Sequence, residues 1–148
     1  MHVAEQRTIH CVVISPRARI LDCKTASVVL PAHDGLVGIL YNHMPMFCEL
    51  GLGIMEVRGI ASEDQPVPKD TFLLIDGGLV LISLNVVTVI AYDALTIQDV
   101  LAQKPERILK DVLARPVGED YSFQQRQHDI SKNAFIEKLA RLSRLSQH

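Results

Sequence analysis

Two histidines and one aspartate, His33, Asp34 and His43, are the side chains of this sequence best suited to chemistry. Imidazole and carboxylate groups bind metal ions and transfer protons, but a metal site needs three or four ligands that converge on one point. The three residues stand in two separate turn-like segments, and aspartate followed by glycine, as at Asp34-Gly35, is typical of a tight turn. We therefore interpret them as turn residues, and a metal hydrolase that uses all three is the least favoured function.

The glycines fit backbone roles better than phosphate binding. The sequence contains no GxxxxGKS, GxxxxGKT or GxGxxG pattern, in which a glycine-rich loop cradles phosphate groups. Gly77-Gly78 instead predicts a hairpin turn with positive φ, which glycine adopts at no steric cost. The glycines expected to define the backbone path are Gly35, Gly38, Gly53, Gly77 and Gly78.

Composition narrows the class of protein. Fifteen Lys and Arg against 17 Asp and Glu give a net charge of −2, which carries no nucleic-acid signal. The three cysteines are far apart in sequence, lack zinc-finger spacing, and are expected to be buried, reduced thiols. The N-terminal residues contain no apolar signal segment, and the longest apolar run, 79–92, is short and interrupted by polar residues. We therefore expect no direct membrane insertion, since a spanning helix needs about 20 apolar residues.

Residues 1–93 have the pattern of a β domain. β-branched residues dominate and turn residues recur every ~8–12 positions, a rhythm typical of an antiparallel β-sandwich. Two prolines in the polar segment 61–70 predict an exposed hairpin loop, because proline cannot donate to a strand ladder. The predicted strands are 9–13, 26–30, 36–40, 54–58, 71–75, 79–82 and 86–92, the last two joined through 83–85.

Residues 94–148 have helical periodicity and predict a C-terminal helical hairpin, so the fold class is mainly β plus α. Pro105 interrupts the first helical segment, 96–114; proline is tolerated only in a helix's first turn, so we expect a break near 103–104 and a new helix from Pro105. A final helix is expected over 122–145. Its predicted apolar face comprises Ile130, Ala134, Leu139, Leu142 and Leu145.

Over residues 8–93 the order and spacing of these landmarks resemble the epsilon subunit of F-type rotary ATP synthases. His43-x-Pro45 is similar to the family's Gly-His-x-Pro, with Asn42 in place of the glycine. The other matching segments, in order, are Val12-Val13, the VVLP of 28–31, the small-x-acid-Gly turn of 32–35, Gly38-Ile39-Leu40, Gly53, Gly77-Gly78 and Val87-Thr88-Val89. The helical part is similar only in type and length.

The resemblance implies a non-catalytic central-stalk subunit that couples ion translocation to ATP synthesis. It implies that the sandwich docks on the gamma subunit and on the polar loops of the c-ring. The helical tail would be regulatory, reaching the catalytic beta subunits and inhibiting ATP hydrolysis. The chain would then lie in the bacterial cytoplasm, peripheral on the inner face of the plasma membrane. The residues implied to face partners are His33, Asp34, Leu36, Val37, His43 and Pro45.

Two departures from the family pattern change these expectations. The c-ring-facing turn of the family carries an acidic residue where this chain has Leu36, so a contact there would be more apolar. Some bacterial members bind ATP through Ile/Leu-Asp-x-x-Arg-Ala, but this chain has Leu101, Lys104 and Pro105 in place of the Asp, Arg and Ala. Lysine does not replace a bidentate arginine. We therefore expect no cofactor and no tight ATP site.

A small-ligand-binding protein is the alternative to a subunit of ATP synthase. A β-sandwich can hold a small ligand between its end loops, with the helices as a lid. Its aromatic residues are scattered along the chain and tryptophan is absent, which leaves no obvious stacking platform for a sugar or a base.

Overall fold

The computed structural model describes residues 7–60, 67–102, 105–118 and 121–146. Strands occupy its N-terminal part and helices its C-terminal part, so the predicted order of a β domain followed by helices is confirmed. The chain divides into two units, Met1–Ala94 and Leu95–His148, each described by itself below.

The strands alternate buried and more exposed residues, as the apolar pattern predicts. Their bounds are β1 (Ile9–Ile14), β2 (Arg19–Thr25), β3 (Ser27–Ala32), β4 (Gly35–Ile39), β5 (Met46–Arg58), β6 (Thr71–Ser83), β7 (Val86–Ala91) and β8 (Ala94–Thr96). The predicted hairpin across 83–85 is confirmed: β6 and β7 pair antiparallel, and Leu84 and Asn85 form the turn with φ of 51° and 63°.

The sheet is mixed rather than wholly antiparallel. Its strand order is β2-β1-β7-β6-β5-β3-β4, and β1 runs parallel to β7 whereas the other neighbours along this path are antiparallel. The prediction of an antiparallel sandwich is therefore wrong at this one pair. Parallel strands need a long connection, and here β2 to β6 all lie between the two strands in sequence.

One hydrophobic core joins the two ends of the sheet. Buried side chains of β1, such as Cys11 and Val13, belong to the same cluster as Val28 and Leu30 of β3. Since β7, β6 and β5 separate β1 from β3 in the strand order, the sheet must fold over on itself as a sandwich. β5 and β6, at 13 residues each, are long enough to take part in both layers.

Glycine allows the long strands to continue where a turn was expected. Gly77 and Gly78 do have positive φ, at 76° and 143°, but β6 runs through them, so the predicted turn at 76–78 is wrong. A Cβ on Gly78 would lie 2.3 Å from the carbonyl oxygen of Ile90, so only glycine lets β7 approach this closely. Gly53 and Gly38 likewise lie inside strands, and Gly35 begins β4.

Other segments depart from the predicted strands. β2 was not predicted because Arg19, Asp22 and Lys24 interrupt its apolar residues. The first part of β5 was not predicted either, because Pro45 and the glycines suggested turns. Of the predicted loop 61–70, residues 61–66 lie outside the described part of the chain.

The helices begin where local sequence favours it. α1 (Ile97–Ala102) follows a capping box in which Thr96 Oγ1 accepts from the Asp99 amide (3.1 Å) and Asp99 Oδ2 from the Thr96 amide (3.0 Å). α2 (Pro105–Ala114) starts at the predicted proline, although residues 103–104 lie outside the described chain. α3 (Phe123–Ser146) follows Ser122, whose Oγ accepts from the Gln125 amide (3.1 Å).

The buried stripe of α3 is shifted from the predicted one. Asn133, Ile136, Leu139 and Ala140 are buried, whereas Ala134 is exposed and Ile130 and Leu142 are half-buried. Leu145 lies outside the described side chains. The spacing of 133, 136 and 140 follows the helical repeat, and the polar Asn133 concealed this stripe in the sequence.

Candidate docking surfaces

The β3–β4 turn presents three of the predicted partner-facing residues to solvent. His33 and Asp34 form the turn and are exposed, and Leu36 is 73% exposed. The His33 amide donates to the carbonyl of Glu49 (3.1 Å), which ties the turn to β5. Val37 differs, because its side chain is half-buried and packs against the core. Less of Val37 than of its neighbours is therefore available to a partner, and its role as a contact residue stays a prediction.

The segment after β4 is fixed by its own backbone and by a second turn. The His43 amide donates to the Leu40 carbonyl (3.1 Å), and the ring Nδ1 of His43 lies 2.7 Å from the Met44 carbonyl oxygen. Asn42 has φ of 61°, a conformation that asparagine tolerates better than most residues, which accounts for asparagine at the glycine position of the motif. Pro45 is exposed.

Two asparagines bridge this segment to the β6–β7 turn. The backbone N–H of Asn42 donates to Asn85 Oδ1 (2.6 Å), and the side-chain Nδ2 of Asn85 donates to Asn42 Oδ1 (3.2 Å). Both residues have positive φ. The bridge therefore holds two turns that are distant in sequence at one end of the sandwich.

The structure does not bring the candidate chemical residues together. His33 and Asp34 precede the five-residue strand β4 and His43 follows it, which separates them by roughly 16 Å of extended chain. Among the described residues, no group of three or more His, Cys, Asp or Glu side chains could hold a metal ion.

An apolar surface that was not predicted covers the side of β1, β5, β6 and β7 away from the core. Phe47 pairs with Leu81, and Leu79 pairs with Ile90, so these side chains share one face. Phe47 is 65% exposed, and Leu81 and Ile90 are each 51% exposed. We define the outer face as Val12, Ile14, Phe47, Leu79, Leu81, Val86 and Ile90. Two polar residues lie on the same side among them, Glu49 opposite Leu79 and Thr88 opposite Leu81. In the sequence, these strands have consecutive apolar residues rather than strict alternation. Such a run predicts that both sides of a strand are covered, and it could have indicated this surface.

Charged residues border the outer face on the side of β2. Asp22 pairs with Val12 in the β1–β2 ladder, so it lies on the same side of the sheet. Its carboxylate accepts from Arg19 Nη1 (3.0 Å) and lies 2.5 Å from His10 Nε2. A change from apolar to charged residues is what the rim of a protein interface shows.

In the helical unit, side chains fix the junction between α2 and α3. Tyr121 donates to Asp129 Oδ2 (2.7 Å), and this hydrogen bond raises the pKa of Tyr121. The Arg115 guanidinium lies 4.2 Å from the centre of the Tyr121 ring, and Arg126 Nη2 donates to the Leu113 carbonyl (3.4 Å). Nearby on α3, the buried Asn133 Oδ1 has no hydrogen-bond partner among the residues that the structure describes.

This architecture has a counterpart among known proteins. The model of the family "ATP synthase, Delta/Epsilon chain, beta-sandwich domain" matches residues 8–97, well over half of the chain. The chain belongs to this family. The ATP synthase epsilon chain of Alkalilimnicola ehrlichii is 30% identical over 122 residues, which cover 80% of this chain and 83% of that protein. Epsilon chains from chloroplasts also match, as in Piper cenocladum.

Two solved structures contain chains that resemble this epsilon-family chain in fold. One is in the mitochondrial ATP synthase of Euglena gracilis, with a TM-score of 0.71, 20% identity and coverage of 89% of this chain and 81% of that chain. The other is in the central stalk and c-ring structure from Tetrahymena thermophila, with a TM-score of 0.61, 16% identity and coverage of 87% and 93%.

Membership confirms the general function expected from the sequence. This chain is a non-catalytic, epsilon-family subunit of ATP synthase. None of the helices in the described residues is both long and apolar enough to span a membrane.

Proposed function

We propose that this epsilon-family chain is an adaptor that clamps onto the gamma subunit through the outer face and so joins the rotating shaft to the c-ring. The exposed apolar side chains of Phe47, Leu81 and Ile90 carry this proposal. Exposed apolar side chains on a sheet are costly to leave in water, and clusters of them mark sites of protein association. The charged rim around Asp22 would orient the contact.

The β3–β4 turn is proposed to face the polar loops of the c-ring. His33 and Asp34 supply polar groups at its tip, and Leu36 beside them supplies an apolar contact. The hydrogen bond between His33 and the Glu49 carbonyl holds this tip against β5, so that a load on it passes into the sheet. His43 and Pro45 are proposed to belong to the gamma contact, because they precede β5 beside Phe47.

The helices are proposed to form a regulatory hairpin, with α1 and α2 on one arm and α3 on the other. The Arg115–Tyr121 contact and the hydrogen bond from Arg126 to the Leu113 carbonyl support a fixed reversal between α2 and α3. A hairpin with docked and released states needs only a modest difference in partner affinity to move between them. We propose that it reaches the catalytic beta subunits and inhibits ATP hydrolysis, without an ATP site of its own.

The proposed place of the chain is the bacterial cytoplasm, at the inner face of the plasma membrane. The resemblance in fold to a chain in a solved central stalk and c-ring supports attachment through the synthase complex rather than direct contact with lipid.

Replacing Phe47 and Leu81 with serine tests the outer face as a docking surface. Because both side chains are more than half exposed, the isolated chain should keep its stability to within about 0.5 kcal/mol. Its affinity for a purified gamma-containing complex, measured by titration calorimetry, should fall at least tenfold, or about 1.4 kcal/mol.

Val67→Ser is the matched control, since Val67 is a 74% exposed apolar residue outside the outer face. It should leave the affinity unchanged. Equal affinities for the wild type and the Phe47→Ser/Leu81→Ser double variant, with the fold intact, would show that gamma docks elsewhere.

A further inference from the structure

Two of the three cysteines lie directly opposite each other on neighbouring strands. Cys11 of β1 pairs with Cys23 of β2, with regular pairs on both sides and the bulge further along, between Val13 and Ile14. Paired residues point to the same side of a sheet, and here that side is the core: Cys11 is fully buried and Cys23 packs against the core cluster. The two thiols are far apart in sequence, and only the strand register brings them together.

Backbone hydrogen bonding defines the type of pair. The His10 amide donates to the Asn85 carbonyl (2.8 Å), on the side of β1 that faces β7. The backbone N–H and C=O groups of successive residues in a strand point to opposite sides of that strand. Because those of His10 point towards β7, those of Cys11 point towards β2. The Cα atoms of a hydrogen-bonded antiparallel pair are about 5.5 Å apart, within the range of roughly 4.4–6.8 Å that a disulfide spans.

The same geometry makes the bond easy to reverse. Directly opposite residues have Cβ atoms about 4.5–5.5 Å apart, whereas a relaxed disulfide holds them at roughly 3.5–4.5 Å. Closing the bond must therefore draw the two strands together. Disulfides under such strain are the readily reduced ones.

We propose that Cys11 and Cys23 are a reversible redox pair, closed by a low-molecular-weight disulfide and reopened by a thiol. The thiolate Sγ of Cys23 attacks one sulfur of the reagent and displaces one thiolate, which leaves a mixed disulfide on Cys23. The Cys11 Sγ then attacks the Cys23 Sγ and displaces the second thiolate. Two protein thiols are oxidised, the reagent is reduced to two thiols, and the two cysteine protons go to the departing thiolates.

Accessibility sets the order of the steps. Cys23 is half-buried on the edge strand β2, whereas Cys11 has no exposed surface. Burial, and secondarily the neighbouring Cys23, raises the pKa of Cys11 to about 12, and burial followed by the charge of Asp22 raises the pKa of Cys23. Cys11 therefore reacts only in the second step, in which it attacks the mixed disulfide that has formed on Cys23 directly opposite.

The bond would fasten the edge strand β2 to β1 without involving the outer face, because both thiols face the core. This pair is therefore independent of the proposed docking on gamma. Cys48 lies on β5, and the register places Val80 rather than a cysteine opposite it, so it offers a matched control within the same chain.

The test is native-state oxidation of the full chain with oxidised glutathione, in the wild type and in Cys48→Ser. In both proteins, mass spectrometry should show the loss of two hydrogen atoms when the bond between Cys11 and Cys23 forms. Tryptic digestion should then release peptides 8–17 and 20–24 joined by a disulfide, which dithiothreitol should cleave.

Several results would overturn the proposal. These are glutathione adducts on Cys23 that never resolve, a disulfide that forms in urea but not in the native chain, or a link from Cys11 to Cys48. Cys23→Ser supplies a further control, since its Cys11 should stay unmodified in the folded chain. Modification of Cys11 in that variant, at the rate seen for Cys23 in the wild type, would also contradict the assigned order of steps.

Discussion

At the scale of single residues, Leu84 is the least expected side chain in the β domain. It is 89% exposed and has φ of 51°, in the left-handed region that costs most L-residues about 1 kcal/mol or more. Nothing is gained by burial in the isolated chain. Both central residues of a two-residue type I′ turn need positive φ, and the Asn42–Asn85 bridge fixes Leu84 at this tip of the sandwich.

Leu84→Asn should stabilise the isolated chain by about 0.5–1 kcal/mol, because asparagine suits the first central position of a type I′ turn. Urea denaturation followed by circular dichroism measures the change. Val67→Asn is the control, because Val67 is also an exposed apolar residue, at 74%, but does not have positive φ. A Leu84→Asn chain that is no more stable than the wild type would refute the strain at this turn.

At the scale of elements, the junction between α2 and α3 depends on the protonated Tyr121 phenol. Because the hydrogen bond to Asp129 raises the pKa of Tyr121, its contribution to stability is fully present below the ordinary tyrosine pKa of ~10. That contribution is lost as the pH rises through the folded value. The helical unit should therefore loosen at strongly alkaline pH.

Spectrophotometric titration of the wild type minus that of Tyr121→Phe isolates this group among the three tyrosines. The difference curve should have its midpoint above the ordinary value of ~10. The phenylalanine variant should have a less stable helical unit near neutral pH and lose less stability between neutral and alkaline pH. A midpoint at or below the ordinary value would rule out the hydrogen bond in solution.

The elements also show how far sequence patterns reach. Alternation predicted β1 and β7, and Pro105 predicted the start of α2, because each depends on local chain chemistry. The parallel β1–β7 pair and the Cys11–Cys23 pair were not predictable, because strand register is a long-range property. β6 was divided wrongly at Gly77-Gly78, since positive φ at glycine serves a bent strand as well as a turn.

The predicted contact residues show the same limit. The β3–β4 turn was located from Asp34-Gly35, but exposure depends on the tertiary fold, so Val37 proved half-buried. The outer face was not predicted, because Leu81 and Ile90 are apolar residues of the kind that usually lies in a core, although both are exposed. Only the register shows that their side chains point away from it.

At the scale of the molecule, the β domain holds a complete core of its own. Every member of the core cluster lies between Ile9 and Ala94, so a chain that ends at Thr96, and therefore retains every strand, should keep its sheet. Circular dichroism and a cooperative urea transition measure this directly. In a reconstituted synthase, the shortened chain should still assemble but should change the rate of ATP hydrolysis compared with the full chain.

The two readouts separate the roles of the parts. Loss of the cooperative transition would mean that the helices are needed for the sheet to fold. An intact sheet with an unchanged hydrolysis rate would mean that the helical tail acts as a support and not as a regulator.

The position of β1 in the sheet has a consequence for biosynthesis. β1 lies between β2 and β7 in the sheet, but β7 leaves the ribosome only after β2 to β6 have been made. Until then the β1 edge of the nascent β1–β2 hairpin has unpaired backbone N–H and C=O groups, which strands of other chains can pair with. Closure of the sheet must therefore wait for nearly the whole domain, and folding should be slow for its size because its decisive contact is so remote in sequence.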